Sequence, residues 1–111
     1  MPHCVIEHSD NIDGNRLIPL VYSAALESNL FESEGSDIKI RAMSYSNYQT
    51  GNVDISFVHV TLKILSGRNV EQKSILTQLV LEQLKTLAMN QCSISVEVAD
   101  IDRASYAKVV V

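Results

Sequence analysis

Phe57-Val58-His59-Val60-Thr61-Leu62-Lys63-Ile64 alternates without a break. Successive side chains of an extended chain point to opposite faces. Val58, Val60, Leu62 and Ile64 therefore share one face, and Phe57, His59, Thr61 and Lys63 share the other. A wholly aliphatic face opposite a mixed one marks a strand that covers a core on one side. The reading extends to a long strand over residues 53–65.

The same period recurs on either side. Residues 38–45 set Ile38, Ile40 and Ala42 against Lys39, Arg41 and Met43, and residues 92–98 align Ile94, Val96 and Val98. A further strand is expected at 3–8, His-Cys-Val-Ile-Glu-His. Between the first two strands, Leu17, Leu20, Val21, Ala24 and Ala25 follow helical spacing. Pro19 belongs in a first turn, which predicts a helix start near residue 17 or 18. Downstream of Gly67-Arg68, Asn69 and Gln72 have the spacing of a capping box. Ile75, Leu76, Leu79, Val80, Leu84, Leu87 and Ala88 then form an apolar helix stripe to about residue 90. Ala107 to Val111 has the composition of a short final strand.

The order is β-α-β followed by β-α-β. Shifting the sequence on itself by 56 residues sets His3 on His59, Ile6 on Leu62, and Ile38, Ile40 and Ala42 on Ile94, Val96 and Val98. The helices match poorly in this shift. Each unit is a right-handed crossover with parallel strands. Two such units related by a pseudo-twofold axis give an α+β fold: a four-stranded mixed sheet with two helices on one face. The chain reads as a single domain, 1–111, with pseudo-repeats 1–52 and 53–111. Strands 1 and 3 would lie antiparallel at the sheet centre, with the start of the first beside the end of the third. The uncovered face would mix Val5, Met43 and Phe57 with Lys39, Arg41 and Thr61, which suits packing on another subunit.

Composition narrows the function classes. The 111 residues are 46% hydrophobic and 20% charged, which is globular rather than disordered. Tryptophan is absent and aromatics make up 5%, so base-stacking surfaces are disfavoured. A net charge of −4 argues against a nucleic-acid partner. No apolar run approaches the ~20 residues that cross a membrane, and the amino terminus lacks the features of a signal peptide. Cys4 and Cys92 fit neither a zinc nor a redox motif. A cytoplasmic protein with free thiols is expected.

The start Met1-Pro2 carries one chemical possibility. Removal of Met1 would leave a prolyl amine, and α-amino groups titrate near pH ~8. Burial or neighbouring cations lower that value and yield a neutral amine able to act as base or nucleophile. Arg68, just before a helix, opposes the helix dipole, an unfavourable local choice that points to anion binding. By itself it reads more simply as a solvated loop residue. Arg41, on the polar side of a short strand, suits bidentate carboxylate recognition or an ordinary ion pair. His3, His8 and His59 lack metal-ligand spacing and read as structural hydrogen-bonding residues, and Cys4 as a small buried hydrophobe.

The opening Met1-Pro2-His3-Cys4-Val5-Ile6-Glu7-His8-Ser9-Asp10-Asn11-Ile12 resembles the start of the 5-carboxymethyl-2-hydroxymuconate delta-isomerase family, in the tautomerase superfamily. So does Phe57 to Ile64 followed by Gly67-Arg68. The resemblance implies a homotrimer and a proton shift on a small unsaturated 2-hydroxy or 2-oxo di- or tricarboxylic acid, with no cofactor and no metal. It implies Pro2 as the acid/base and Arg68 and Arg41 as substrate-carboxylate binders, Arg41 acting in its own or a neighbouring subunit's site. A hydratase or dehalogenase using the same site, or a non-catalytic trimeric scaffold, are the alternatives. The second applies if Met1 is retained, because the Pro2 nitrogen is then a tertiary amide without a basic lone pair.

Overall fold

The computed structural model describes all residues, 1–111. The element order is β1 (His3–Ser9), α1 (Gly14–Glu27), β2 (Lys39–Tyr45), β3 (Ser56–Leu65), α2 (Val70–Lys85) and β4 (Cys92–Ile101), followed by a 3-10 turn at Arg103–Ser105. The strands form one sheet in the order β2-β1-β3-β4. β1 pairs parallel with β2, β3 pairs parallel with β4, and β1 and β3 are antiparallel at the centre. This is the mixed sheet of two β-α-β units expected from the alternating stretches.

The aliphatic face of β3 is the floor of the core. Val58, Val60, Leu62 and Ile64 are buried beside Cys4 and Ile6 of β1. Leu17, Val21 and Ala24 of α1 and Leu76, Val80 and Leu84 of α2 close it from above. Both helices therefore lie on one sheet face. The other face carries Val5, Met43 and Phe57 with Lys39, Arg41, Thr61 and Lys63, and no element of this chain covers it; Met43 is 57% exposed.

Helix α1 begins at Gly14, earlier than residue 17 or 18, and Pro19 lies inside it. Asp13 caps the start by accepting from the Asn15 N–H. Pro19 is exposed and forgoes only the bond to the Asn15 carbonyl, itself on an exposed residue, so a helix interior tolerates it here. Helix α2 has the full capping box, with Gln72 N–H donating to Asn69 and the Asn69 N–H donating to Gln72. It stops at Lys85 rather than near 90. Thr86, Leu87 and Ala88 donate to carbonyls three residues back, and Ala88 turns left-handed with φ of 51°, reversing the chain into β4.

Both helices start 56 residues apart, as the strands predict. Among their buried positions only Ala24 and Val80 follow that shift, since α1 buries 17, 21, 24 and 25 while α2 buries 76, 80 and 84. This explains the poor helix match in sequence. Ile75, counted in the apolar stripe, is 51% exposed. β3 starts at Ser56 instead of 53, because Val53 pairs with Thr50 across the preceding turn. Residues 107–111 form no strand; Val109, Val110 and Val111 have no neighbouring strand and are exposed.

Leu62 sits at the centre of this core, in the middle sheet pair. Leu62→Ala is expected to lower unfolding stability by about 2–5 kcal/mol, read by urea denaturation. A change below about 0.5 kcal/mol would contradict the central placement of this face.

Candidate functional site

The antiparallel register of β1 and β3 sets His3 opposite Lys63, and the parallel register of β1 and β2 sets it opposite Lys39. Residues before His3 therefore lie at the sheet end where β3 and β4 finish and both helix-bordering loops, 28–38 and 66–69, turn. Pro2 is fully buried there. Its carbonyl accepts from the Lys39 N–H at 3.0 Å, so the chain continues alongside residues 37–39 beyond the strand. The Met1 amine donates to the Asp37 carbonyl at 2.7 Å and lies 3.4 Å from the Asp37 carboxylate. Burial, and secondarily Lys39 and Lys108, push that amine below its usual range, while Asp37 pulls it up.

Arg68 reaches the same end from the loop before α2. Its guanidinium donates to the Leu30 carbonyl at 2.6 Å and lies 5.8 Å over the Phe31 ring. It thus ties the loop after α1 to the loop after β3. No carboxylate pairs with it. A guanidinium has five donors in a fixed fork, and the Leu30 carbonyl takes one nitrogen only, so donors remain for an anion.

Arg41 is held differently. It is exposed on the open sheet face, where its guanidinium donates to His3 Nδ1 at 3.1 Å. An imidazole that accepts at Nδ1 carries its proton on Nε2, which then donates to the Tyr106 hydroxyl, 3.1 Å away. Burial, then the charges of Arg41, Lys39, the amino terminus and Lys63, hold His3 below its ordinary titration range. Within one protomer, Arg41 and the Pro2 ring thus lie on opposite sides of the sheet. Arg41, Lys39 and Lys63 form no ion pair.

Three further groups at this end escaped the sequence reading. Asp37 meets the amino terminus, and Arg103 donates from Nε to the Ser66 carbonyl at 2.6 Å, packing against Gly67. Tyr106 stands edge-on to His3. Arg103 and Tyr106 come from a tail with no periodic pattern, so only tertiary structure reveals them. At Asp37 the available signal is a lone acid two residues before a basic strand.

The remaining candidates are buried or bonded within the chain. His59 bonds Ser95 at 2.7 Å and Glu97 at 2.6 Å on the open face. His8 is buried and bonds the Ser9 carbonyl at the opposite sheet end. Cys4 is buried, its thiol pushed up to about 12, and neither cysteine is paired. No three His, Cys, Asp or Glu side chains converge as a metal site.

Comparison with known proteins places this arrangement. The model of the 5-carboxymethyl-2-hydroxymuconate isomerase family matches residues 2–109. The chain belongs to that isomerase family. The 5-carboxymethyl-2-hydroxymuconate Delta-isomerase of Escherichia coli is 28% identical over 90 residues, 78% of this chain and 71% of that protein. The crystal structure of a 5-carboxymethyl-2-hydroxymuconate isomerase from Deinococcus radiodurans R1 superposes with a TM-score of 0.80 at 24% identity, covering 97% of this chain and 88% of the other. A fused 4-OT described as a symmetric trimer superposes at 0.74 with 16% identity, over 96% and 90% of the two chains. The isomerase family and the β-α-β-β-α-β fold expected from Phe57–Ile64 and the opening residues are both borne out.

The contact between Arg41 and His3 has a spectroscopic consequence. Removing the cation in Arg41→Gln favours the charged imidazole, so the His3 titration midpoint should rise. Histidine NMR titration measures this directly. An unchanged midpoint would contradict the contact. Because the folded value is depressed, His3 stabilises the fold above its unfolded pKa near ~6.5, and that contribution is lost as pH falls through the folded value.

Proposed function

We propose that this isomerase is a tautomerase acting on a small unsaturated 2-hydroxy or 2-oxo di- or tricarboxylic acid, with the Pro2 amine of the Met1-processed chain as acid/base. The supporting observation is the convergence, at one sheet end, of the buried Pro2 with an Arg68 guanidinium that has no carboxylate partner. Arg68 binds a substrate carboxylate and draws charge toward it. Neutral Pro2 takes a proton from the substrate's carbon skeleton or enol oxygen. The resulting dienolate is stabilised by the guanidinium. The prolyl ammonium then returns the proton at a different carbon, so the substrate is isomerised and the amine regenerated. No cofactor takes part in these steps.

The protein works as a homotrimer in this reading, a single domain of two units, 1–52 and 53–111. The open sheet face, with Met43 exposed beside Val5 and Phe57, is closed by the other copies, as suits a mixed face without cover in one chain. Arg41 lies on that face and serves a neighbouring copy's substrate. No helix is long and apolar enough to cross a membrane, and a cytoplasmic location fits the two free thiols.

Ketonisation of 2-hydroxymuconate by protein verified by mass spectrometry to lack Met1 tests the role of Pro2. Pro2→Ala is expected to lower kcat by about 10²–10⁴-fold. Arg68→Gln is expected to raise KM by about ten- to a hundred-fold, the worth of a charge-assisted hydrogen bond. Equal rates for wild type and Pro2→Ala would contradict the proline chemistry.

A further inference from the structure

We propose that Asp37 is the counter-ion of the amino-terminal amine, and that in the Met1-processed chain its carboxylate governs how far the Pro2 amine is protonated. The inference rests on the reading of Pro2 as the acid/base and adds a positioning residue to it.

The geometry comes from strand register. β1 and β2 run parallel with His3 opposite Lys39. Continuing one and two steps back sets Pro2 alongside Ile38 and Met1 alongside Asp37. The two hydrogen bonds beyond the strand follow that path: Lys39 N–H to the Pro2 carbonyl at 3.0 Å, and the Met1 amine to the Asp37 carbonyl at 2.7 Å. The Asp37 carboxylate is 3.4 Å from the amine, and the side chains of the two residues are 9% and 19% exposed.

The carboxylate also has capacity to spare. Its Oδ1 is buried with no hydrogen-bond partner, and an unmet acceptor of this kind is costly. Removal of Met1 takes away its only ion-pair partner and vacates the space that residue fills. The positive charge created by processing then appears one residue along, on Pro2. A protonated proline carries two N–H donors and is placed to take over the contact.

The cations that act on the amine oppose Asp37. Lys39 at the start of β2 and Lys108 of the tail both disfavour a charged amine, as does burial. His3 of β1, Arg41 of β2 and Lys63 of β3 face the open side of the same end, and Arg68 and Arg103 approach from the loop after β3 and from the tail. Asp37 is the group that favours the ammonium. Its carboxylate therefore sets the balance between Pro2 as proton acceptor and Pro2 as proton donor.

The chain has two prolines, and Pro19 is a tertiary amide inside α1, so [15N]proline labelling gives one titrating nitrogen. Its midpoint is read by NMR on processed protein, without any substrate. Asp37→Asn should lower the Pro2 midpoint by about one unit, Asp37→Glu should restore most of it, and Lys39→Gln should shift it upward. The acidic limb of the kcat/KM profile should move with the midpoint. An unchanged midpoint in folded Asp37→Asn, or in Asp37→Ser if the first variant fails to fold, would overturn the role of Asp37. The proline reading fails on a different result, full activity of Pro2→Ala, so the two are separable.

Discussion

Two strands that run in opposite directions, His3–Ser9 and Ser56–Leu65, meet at the centre of the sheet, with Cys4 opposite Leu62 and Ile6 opposite Val60. That pairing joins the two β-α-β units through the most buried side chains of the protein. It also decides which loops share an end. Because β1 starts where β3 finishes, the amino terminus lies with the loop that leads into α2, and with the loop by which α1 returns to β2. A slip of one residue in this pair would turn Val58, Val60, Leu62 and Ile64 to the open face. The core and the grouping of Pro2 with Arg68 therefore have a common origin.

Charge is distributed unevenly over that end. Lys39, Lys63, Arg68 and Arg103 gather at the sheet end that holds the terminus, with Arg41 on the open face, in a chain whose net charge is −4. Burial first, and then the charges of Arg41, Lys39, the amino terminus and Lys63, hold His3 below its ordinary titration range. Asp37 at this end is engaged with the terminal amine. Around the Met1 amine, burial, Lys39 and Lys108 favour the neutral form while Asp37 favours the charged one.

The strands were readable because their period is strict. The Val58–Ile64 alternation specifies a face, a strand and a floor for the core, and the 56-residue recurrence extends this to the second unit. Pro19 misled the placement of α1, since its ring faces solvent and a helix interior accommodates it there at the loss of one bond. The end of α2 was hidden for a related reason: Leu87 and Ala88 continue the apolar pattern, but the chain must reverse within a few residues to reach β4. At the candidate site, local chemistry made Pro2 and Arg68 only weak candidates, and the family resemblance singled them out. The bond from Arg68 to the Leu30 carbonyl joins residues 38 apart, and the meeting of Met1 with Asp37 joins residues 36 apart. Neither leaves a periodic trace in the sequence.

The grouping of Pro2 and Arg68 into one substrate site is tested most directly by a crystal structure of the Met1-processed chain soaked with cis,cis-muconate. The expected density has one carboxylate on the Arg68 guanidinium and the unsaturated chain against the Pro2 nitrogen, in the space that Met1 otherwise occupies. Muconate bound away from this sheet end, or a Pro2 nitrogen still covered by protein after Met1 is removed, would contradict it.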